Sequence, residues 1–157
     1  MPLGRRFIVS FSVAIAALFG DTIGAEAVCP AANAQQVTLR CAQWLAAYRA
    51  RDLQRVMSIF DRHVTFQFQG SPDASWTALR RSYQQEFATA AKTYWSPAFE
   101  RVEASGNLAV AFSKWSLLEP GRNGHQIVKV TNNSVDVFGR DNACQWKIVR
   151  SMTYRLK

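Results

Sequence analysis

The sequence is poor in the residues that mark several specialised classes of protein. Its 157 residues include only 5 Pro, 8 Gly, 3 Cys and 2 His. So few glycines and prolines exclude a collagen-like chain. Hydrophobic residues make up 48% and aromatic residues 12% of the sequence, which excludes an intrinsically disordered protein. The length suits one domain and therefore excludes a multidomain enzyme.

Motifs for phosphate binding, metal binding and nucleophilic catalysis are missing as well. There is no glycine-rich phosphate loop and no nucleophile elbow. His63 and His125 are far apart in the sequence, with no local Cys or carboxylate at metal-ligand spacing. We therefore predict no metal and no cofactor, and the motifs identify no catalytic residue.

The charge is strongly positive but not concentrated. Lys and Arg total 19 against 11 Asp and Glu, a net charge of +8. No long block of like charge occurs, and no element combines a basic stripe with interleaved aromatic residues. Nucleic acid is therefore not an expected partner. The excess charge is interpreted as a contribution to solubility, with attraction to an anionic envelope surface as the alternative.

The first 27 residues have the pattern of a secretory signal peptide. Arg5 and Arg6 precede the apolar run Phe7–Gly20, and Ala25-Glu26-Ala27 offers a small-x-small cleavage site. The apolar run is shorter than the roughly 17–25 residues of a membrane-spanning helix. We expect cleavage near Ala27, a periplasmic or secreted mature protein of residues 28–157, and no stable membrane insertion afterwards.

Helices are predicted in the first half of the mature chain. Apolar residues at three- and four-residue spacing predict a helix from about Asn33 to Ala50. Asp52 can cap a short second helix. Val64–Phe68 alternates with period two and predicts a strand, and a third helix is expected to run to about Tyr94.

Strands dominate the second half. Turn residues separate four predicted strands, at Phe99–Ala104, Leu108–Leu118, Gln126–Phe138 and Trp146–Leu156. Three helices with one inserted strand, followed by a four-strand meander, indicate an α+β domain. Its mostly antiparallel sheet must be covered by the helices on one face.

Five motifs carry a resemblance to a known superfamily. They are Trp44-Leu45-Ala46-Ala47-Tyr48 with Arg51-Asp52 and Phe60, the strand Val64–Phe68, Gly106-Asn107-Leu108-Ala109, Trp115, and Trp146-Lys147-Ile148-Val149. Together they resemble the nuclear-transport-factor-2-like superfamily, which includes SnoaL-like and ketosteroid-isomerase-like proteins. The resemblance implies a cone-like curved sheet wrapped around three helices, a pocket inside it, and often a homodimer. It implies no single chemistry, because sites are grafted onto this fold.

The resemblance argues against isomerase chemistry. A ketosteroid isomerase needs a carboxylate base and two hydrogen-bond donors. By the motif alignment the base position falls on Phe68 and the tyrosine position on Trp44, while the acid position falls near Asn133 or Ser134. Since Phe cannot accept a proton, the isomerase reaction has no base at that position.

The implied pocket is mostly aromatic with a few polar groups. The residues expected to line it are Trp44, Tyr48, Phe66, Phe68, Tyr83, Phe87, Trp115, Asn133, Arg150 and Met152. Arg150 shares strand parity with Trp146 and Ile148 and therefore points inward unless a bulge intervenes. It is interpreted either as an anchor for a ligand anion, as a partner of Asp136, or as an exposed residue after a bulge.

Export would place the three cysteines in an oxidising compartment. Cys41 lies on the inward stripe of the first helix, and Cys144 shares parity with Trp146. Because this fold lays helix against sheet, we expect a Cys41–Cys144 disulfide and a free Cys29.

The sequence therefore predicts an exported protein that binds a small, largely apolar ligand without isomerase chemistry. The first alternative is a SnoaL-like enzyme of the dehydratase, cyclase or isomerase type. The second is an envelope module for protein interaction or dimerisation.

Overall fold

The computed structural model describes residues 29–89, 94–121 and 125–155. The predicted signal peptide, Met1–Ala27, lies outside these residues. Within the described ranges, no helix is both long enough and apolar enough to cross a membrane.

Within the described residues, three helices form where the apolar spacing predicts them. Helix α1 spans Ala34–Arg49, α2 spans Leu53–Met57 and α3 spans Trp76–Ala88. The side chain of Asn33 caps α1 by accepting from the Gln35 amide, and Asp52 caps α2 in the same way. The capping roles follow from short polar side chains that satisfy the free amides of the first turn.

Helix α3 is shorter than the sequence indicates. It ends at Ala88, whereas the apolar pattern suggested about Tyr94. Thr89 has extended backbone angles, and its amide and hydroxyl hydrogen bond to carbonyls of the last turn, including that of Gln85. The helical spacing of Tyr94 is therefore coincidental, because Tyr94 begins a strand.

Six strands of the described part of the chain form one curved sheet. Their ranges are β1 Phe60–Phe68, β2 Ala74–Ser75, β3 Tyr94–Ser105, β4 Leu108–Pro120, β5 Gln126–Arg140 and β6 Trp146–Arg155. The order across the sheet is β2-β1-β6-β5-β4-β3. All neighbours are antiparallel except β1 and β6, which run parallel. The predicted α+β class with a mostly antiparallel sheet is confirmed.

Strand β3 is longer than predicted because Pro97 does not interrupt it. The strand begins at Tyr94 rather than at Phe99. It lies at the edge of the sheet, where it pairs only with β4. A proline is tolerated on an edge strand, where its missing amide leaves no ladder bond unmade.

A bulge in β6 reverses which of its residues face the helices. Phe138 of β5 pairs with Ile148, but the next residue back, Val137, pairs with Arg150. Val149 is therefore the extra residue, and the alternation of side chains shifts by one position beyond it. Ile148 is buried before the bulge and Ser151 is buried after it.

The core lies between the helices and the concave face of the sheet. Helix α1 contributes its buried stripe of Val37, Cys41, Trp44, Ala47 and Tyr48. Small side chains, Ala109 and Ala111, face inward on β4 and are fully buried. Since an alanine occupies little volume, the sheet can approach the helices closely at this end.

The disulfide joins a different pair from the one predicted. It links Cys29 to Cys144, with a Cα–Cα distance of 5.4 Å, and leaves Cys41 as a buried thiol. Cys144 stands in a tight turn with a φ of 58°, before β6 begins. The alternation of side chains along β6, counted from Trp146, therefore does not extend to Cys144. The side chain of Cys144 contacts the segment before α1 instead.

Candidate functional site

The cone contains a cavity of about 190 Å³ between α1, α3 and the concave face of the sheet. Its wall is mainly aromatic and also carries polar side chains. The lining residues are Cys41, Trp44, Tyr48, Phe60, Phe66, Phe68, Leu79, Ser82, Tyr83, Glu86, Trp95, Phe99, Trp115, Asn132, Ser134, Asp136, Phe138, Ile148, Ser151 and Thr153. Six of the ten predicted lining residues are among them: Trp44, Tyr48, Phe66, Phe68, Tyr83 and Trp115.

The aromatic wall is a continuous set of ring contacts. Trp44 is stacked on Tyr48 with ring centroids 5.1 Å apart, and it meets Trp115 edge-on at 5.0 Å. Tyr83 of α3 meets Tyr48 edge-on at 6.3 Å. Edge-to-face and offset contacts of this kind stabilise aromatic clusters beyond simple burial. Helices α1 and α3 thus fix the orientation of the rings.

Asp136 is the buried charged residue of the cavity wall. Its carboxylate accepts hydrogen bonds from Ser151 Oγ at 2.6 Å and from Ser134 Oγ at 3.4 Å. Thr153 donates in turn to Ser134 Oγ at 3.2 Å. Burial raises the pKa of Asp136 to about 6, although the two serine hydrogen bonds oppose the shift. A carboxyl group with this pKa can change protonation state near neutral pH.

Glu86 is the second acidic residue of the lining, and it contacts Tyr48. The Tyr48 hydroxyl donates to the Glu86 carboxylate. Burial raises the pKa of Tyr48, and the contact with Glu86 raises it further. Tyr48 therefore stays neutral and serves as a hydrogen-bond donor.

The Cys41 thiol also belongs to the wall but is unreactive. Burial, with a smaller effect of the Asp136 charge, raises its pKa to about 12. A thiol with so high a pKa is not a nucleophile at neutral pH, since the thiolate is the reactive form.

Two further polar atoms of the wall lack a hydrogen-bond partner within the described residues. They are the indole Nε1 of Trp44 and the amide oxygen Oδ1 of Asn132. Buried polar atoms are hydrogen bonded in the great majority of cases. These two unpaired atoms of the cavity wall lower the stability of the fold, and a polar ligand could satisfy them.

Three predicted lining residues lie on the opposite face of the sheet. Met152 follows the bulge at Val149 and pairs with Val135. Val135 faces outward, because its neighbours Ser134 and Asp136 face inward, and Met152 therefore faces outward too. Asn133 alternates with the buried Asn132 and therefore faces outward. The third residue is Arg150.

Arg150 is exposed because of the same bulge. Its Nη2 lies 3.8 Å from Asp73 Oδ2, and both side chains are 45% exposed. Of the three interpretations, the exposed residue after a bulge is correct. Arg150 neither anchors a ligand in the cone nor pairs with Asp136.

Phe87 also lies outside the cavity, behind the tyrosines. Its ring packs 5.6 Å from Tyr48 and 5.9 Å from Tyr83. Phe87 therefore supports the wall without forming its surface.

Asp136 was not predicted as a site residue, although the sequence contains a signal for it. Asn132, Ser134 and Asp136 alternate in step with Phe138, which is 1% exposed. A strictly alternating row that ends on a buried Phe predicts three inward polar residues. Because Arg150 was assumed to point inward, Asp136 was interpreted as its structural partner and was not considered as a lining residue.

The curved sheet, the three helices and the cavity between them define a nuclear-transport-factor-2-like (NTF2-like) fold. The SnoaL-like domain family matches residues 37–153, and the chain belongs to this family. Comparison with curated protein sequences finds no match.

Solved structures show the same fold at low sequence identity. A ketosteroid isomerase-like protein from Erwinia carotovora atroseptica is 15% identical, with a TM-score of 0.62 over 79% of this chain and 96% of that one. An NTF2-like protein of unknown function from Pseudomonas putida is 13% identical, with a TM-score of 0.64 over 77% and 84%. A conserved protein from Planctomyces limnophilus is 18% identical, with a TM-score of 0.64 over 78% and 94%. These similarities establish the fold and no particular activity.

Proposed function

We propose that this protein binds a small, largely apolar molecule in the cone cavity, with the polar end of the ligand at Asp136. One observation carries the proposal: an aromatic cavity of about 190 Å³ has a single buried carboxyl group among its described lining residues. A cavity of about 150 Å³ is sufficient to bind benzene. The expected ligand is therefore about the size of one aromatic ring with a short polar substituent.

Burial of Asp136 favours a binding site over a purely structural module. A carboxylate taken out of water without a cationic partner costs stability. Titratable groups with strongly shifted pKa values are typical of functional sites. A structural module would fill its cone with apolar side chains, whereas this cone has Asn132, Ser134 and Asp136 on its inner surface.

The five tryptophans provide a direct test of ligand binding. Trp44, Trp95 and Trp115 line the cavity, whereas Trp76 and Trp146 do not. We expect 2-phenylethanol to shift the indole N–H resonances of the first three in a ¹H–¹⁵N NMR titration and to leave the other two unchanged. Uniform shifts of all five, or no shifts at millimolar ligand, would contradict the proposal.

Acid–base catalysis is the second candidate function, and Asp136 is the observation that favours it. A carboxylate with a pKa of about 6 is suited to proton transfer near neutral pH. Phe68 lines the cavity at the position where the isomerase base was expected, so Asp136 would be the base instead. The reaction would transfer a proton from the carbon next to a carbonyl group to the Asp136 carboxylate and leave an enolate.

Deuterium exchange tests this second function. If Asp136 takes an α-proton of phenylacetone, the enolate regains a deuteron in D₂O, and the ketone becomes deuterated faster than in buffer. The Asp136→Asn variant is expected to lose this acceleration. Equal exchange with the wild type and with the variant would exclude Asp136 as the base.

Export and self-association are part of the proposal as well. The leader pattern of residues 1–27 supports export, and so does the Cys29–Cys144 disulfide, because disulfides persist in oxidising compartments. Sequencing the N terminus of exported protein checks the expected start at Val28. Homodimerisation stays a prediction, which a measurement of molecular mass in solution checks.

A further inference from the structure

We infer that the cone cavity selects a ligand with a protonated amine, which pairs with the carboxylate of Asp136. The inference rests on the proposed binding function and names its ligand class. Two features of the cavity wall support the inference: its charge and its aromatic side chains.

Positive charge is missing from the cavity in an otherwise basic protein. The net charge of the chain is +8, but no Arg, Lys or His is found among the described lining residues. The two charged lining residues are Asp136 and Glu86, both acidic. Most of the acidic residues described outside the cavity have basic partners, such as Arg150 for Asp73 and Lys147 for Asp141.

The groups that face Asp136 leave its charge uncompensated. Helix α1 contributes the thiol of Cys41, and α3 contributes the phenol of Tyr83. The carboxylate of Glu86, also on α3, lines the same cavity. The neighbouring positions on β5 and β6 contribute the hydroxyls of Ser134 and Ser151. These groups are neutral or acidic, so a cationic ligand would supply the missing counter-charge.

The aromatic wall adds to the preference for a cation. Ammonium groups are attracted to the faces of Trp and Tyr rings within about 6 Å. Trp44, Trp115 and Tyr83 line the same cavity as Asp136. An anionic ligand would instead be repelled by Asp136 and Glu86, which provides selection against acids.

Three probes of nearly equal size separate charge from shape. They are 2-phenylethylamine, which is protonated at pH 8, neutral 2-phenylethanol and anionic phenylacetate. Isothermal titration calorimetry at pH 8 is expected to show the amine binding about 10- to 100-fold tighter than the alcohol, as a charge-assisted hydrogen bond implies. Phenylacetate should bind more weakly than the alcohol.

Two matched variants locate the effect. Asp136→Asn is expected to abolish the preference for the amine, so that this variant binds the amine and the alcohol with similar affinity. Asp73→Asn removes the same charge from an exposed site beside Arg150 and is expected to keep the preference. The pH adds a further check: amine affinity should fall as the pH drops from 7 to 5, because burial raises the pKa of Asp136 to about 6.

The outcomes distinguish this inference from the binding function beneath it. Equal affinity for amine and alcohol, with indole shifts confined to Trp44, Trp95 and Trp115, would overturn the inference and retain the binding function. Loss of the preference in Glu86→Gln but not in Asp136→Asn would overturn the assignment to Asp136. Absence of binding by all three probes would overturn both.

Discussion

Replacing Cys29 by serine is expected to lower the free energy of unfolding by about 4–5 kcal/mol, since the lost disulfide closes a very long loop. The two cysteines are 115 residues apart in the sequence. In the chain-entropy account, a cross-link over a loop of about 100 residues stabilises by about 4.7 kcal/mol, because it restricts the unfolded chain. Urea denaturation under non-reducing conditions measures the difference.

A reductant provides the matched control for this prediction. Dithiothreitol should destabilise the wild type by a similar amount and leave Cys29→Ser unchanged. Cys41→Ala should lose less and should remain sensitive to reductant, because Cys41 is a free thiol. The reverse pattern, with Cys41→Ala insensitive to reductant, would restore the Cys41–Cys144 pairing that the sequence suggested.

Replacing Asp136 by asparagine is expected to change the pH dependence of stability by about 3 kcal/mol. Burial raises the pKa of this carboxyl from 3.8 to about 6 in the folded protein. A raised pKa means that the folded state holds the proton more tightly than the unfolded state. Its contribution to stability is fully present below pH 4 and is lost as the pH rises through 6, at about 1.4 kcal/mol per pKa unit.

The Asp136→Asn variant has no carboxyl group at this position and should lack that loss. Its free energy of unfolding, relative to the wild type, should therefore rise between pH 4 and pH 8. Asp73→Asn, at an exposed site, is the control and should follow the wild-type profile closely. Parallel profiles for Asp136→Asn and the wild type would show that the carboxyl is not buried as described.

The local sequence was sufficient to predict most of the fold. The spacing of Val37, Cys41 and Trp44 predicts α1, and the capping residue Asn33 marks its start within one residue. Alternation and turn residues predict β4 and β5 in the same way. Such patterns succeed because one face of each element is buried and its period appears directly in the sequence.

Long-range features were not predictable by the same reasoning. Pro97 can lie within β3 only because that strand is at the edge of the sheet, which the sequence does not reveal. The bulge at Val149 moves Arg150 and Met152 to the outer face of the sheet. A shift of one residue in register turns every later side chain of the strand to the opposite face. The aromatic half of the site was therefore predicted well, whereas the polar half was assigned to the wrong residues.

The cysteine pairing failed for a related reason. The prediction used the strand parity of Cys144, but Cys144 lies in the turn before β6. Its partner comes from the segment before α1, where the carbonyls of Pro30 and Ala31 accept hydrogen bonds from Arg140. Contacts of an irregular segment have no sequence period and therefore could not be found from spacing.

Titration of the Asp136 carboxyl carbon by ¹³C NMR tests the central claim most directly. In the free protein we expect a midpoint near pH 6, because the carboxyl is buried in the cavity wall. Saturating 2-phenylethylamine should lower the midpoint, since a bound ammonium stabilises the carboxylate, while 2-phenylethanol should lower it much less. A midpoint near pH 4 in the free protein, unchanged by either compound, would contradict the account of the cavity as a ligand site built around Asp136.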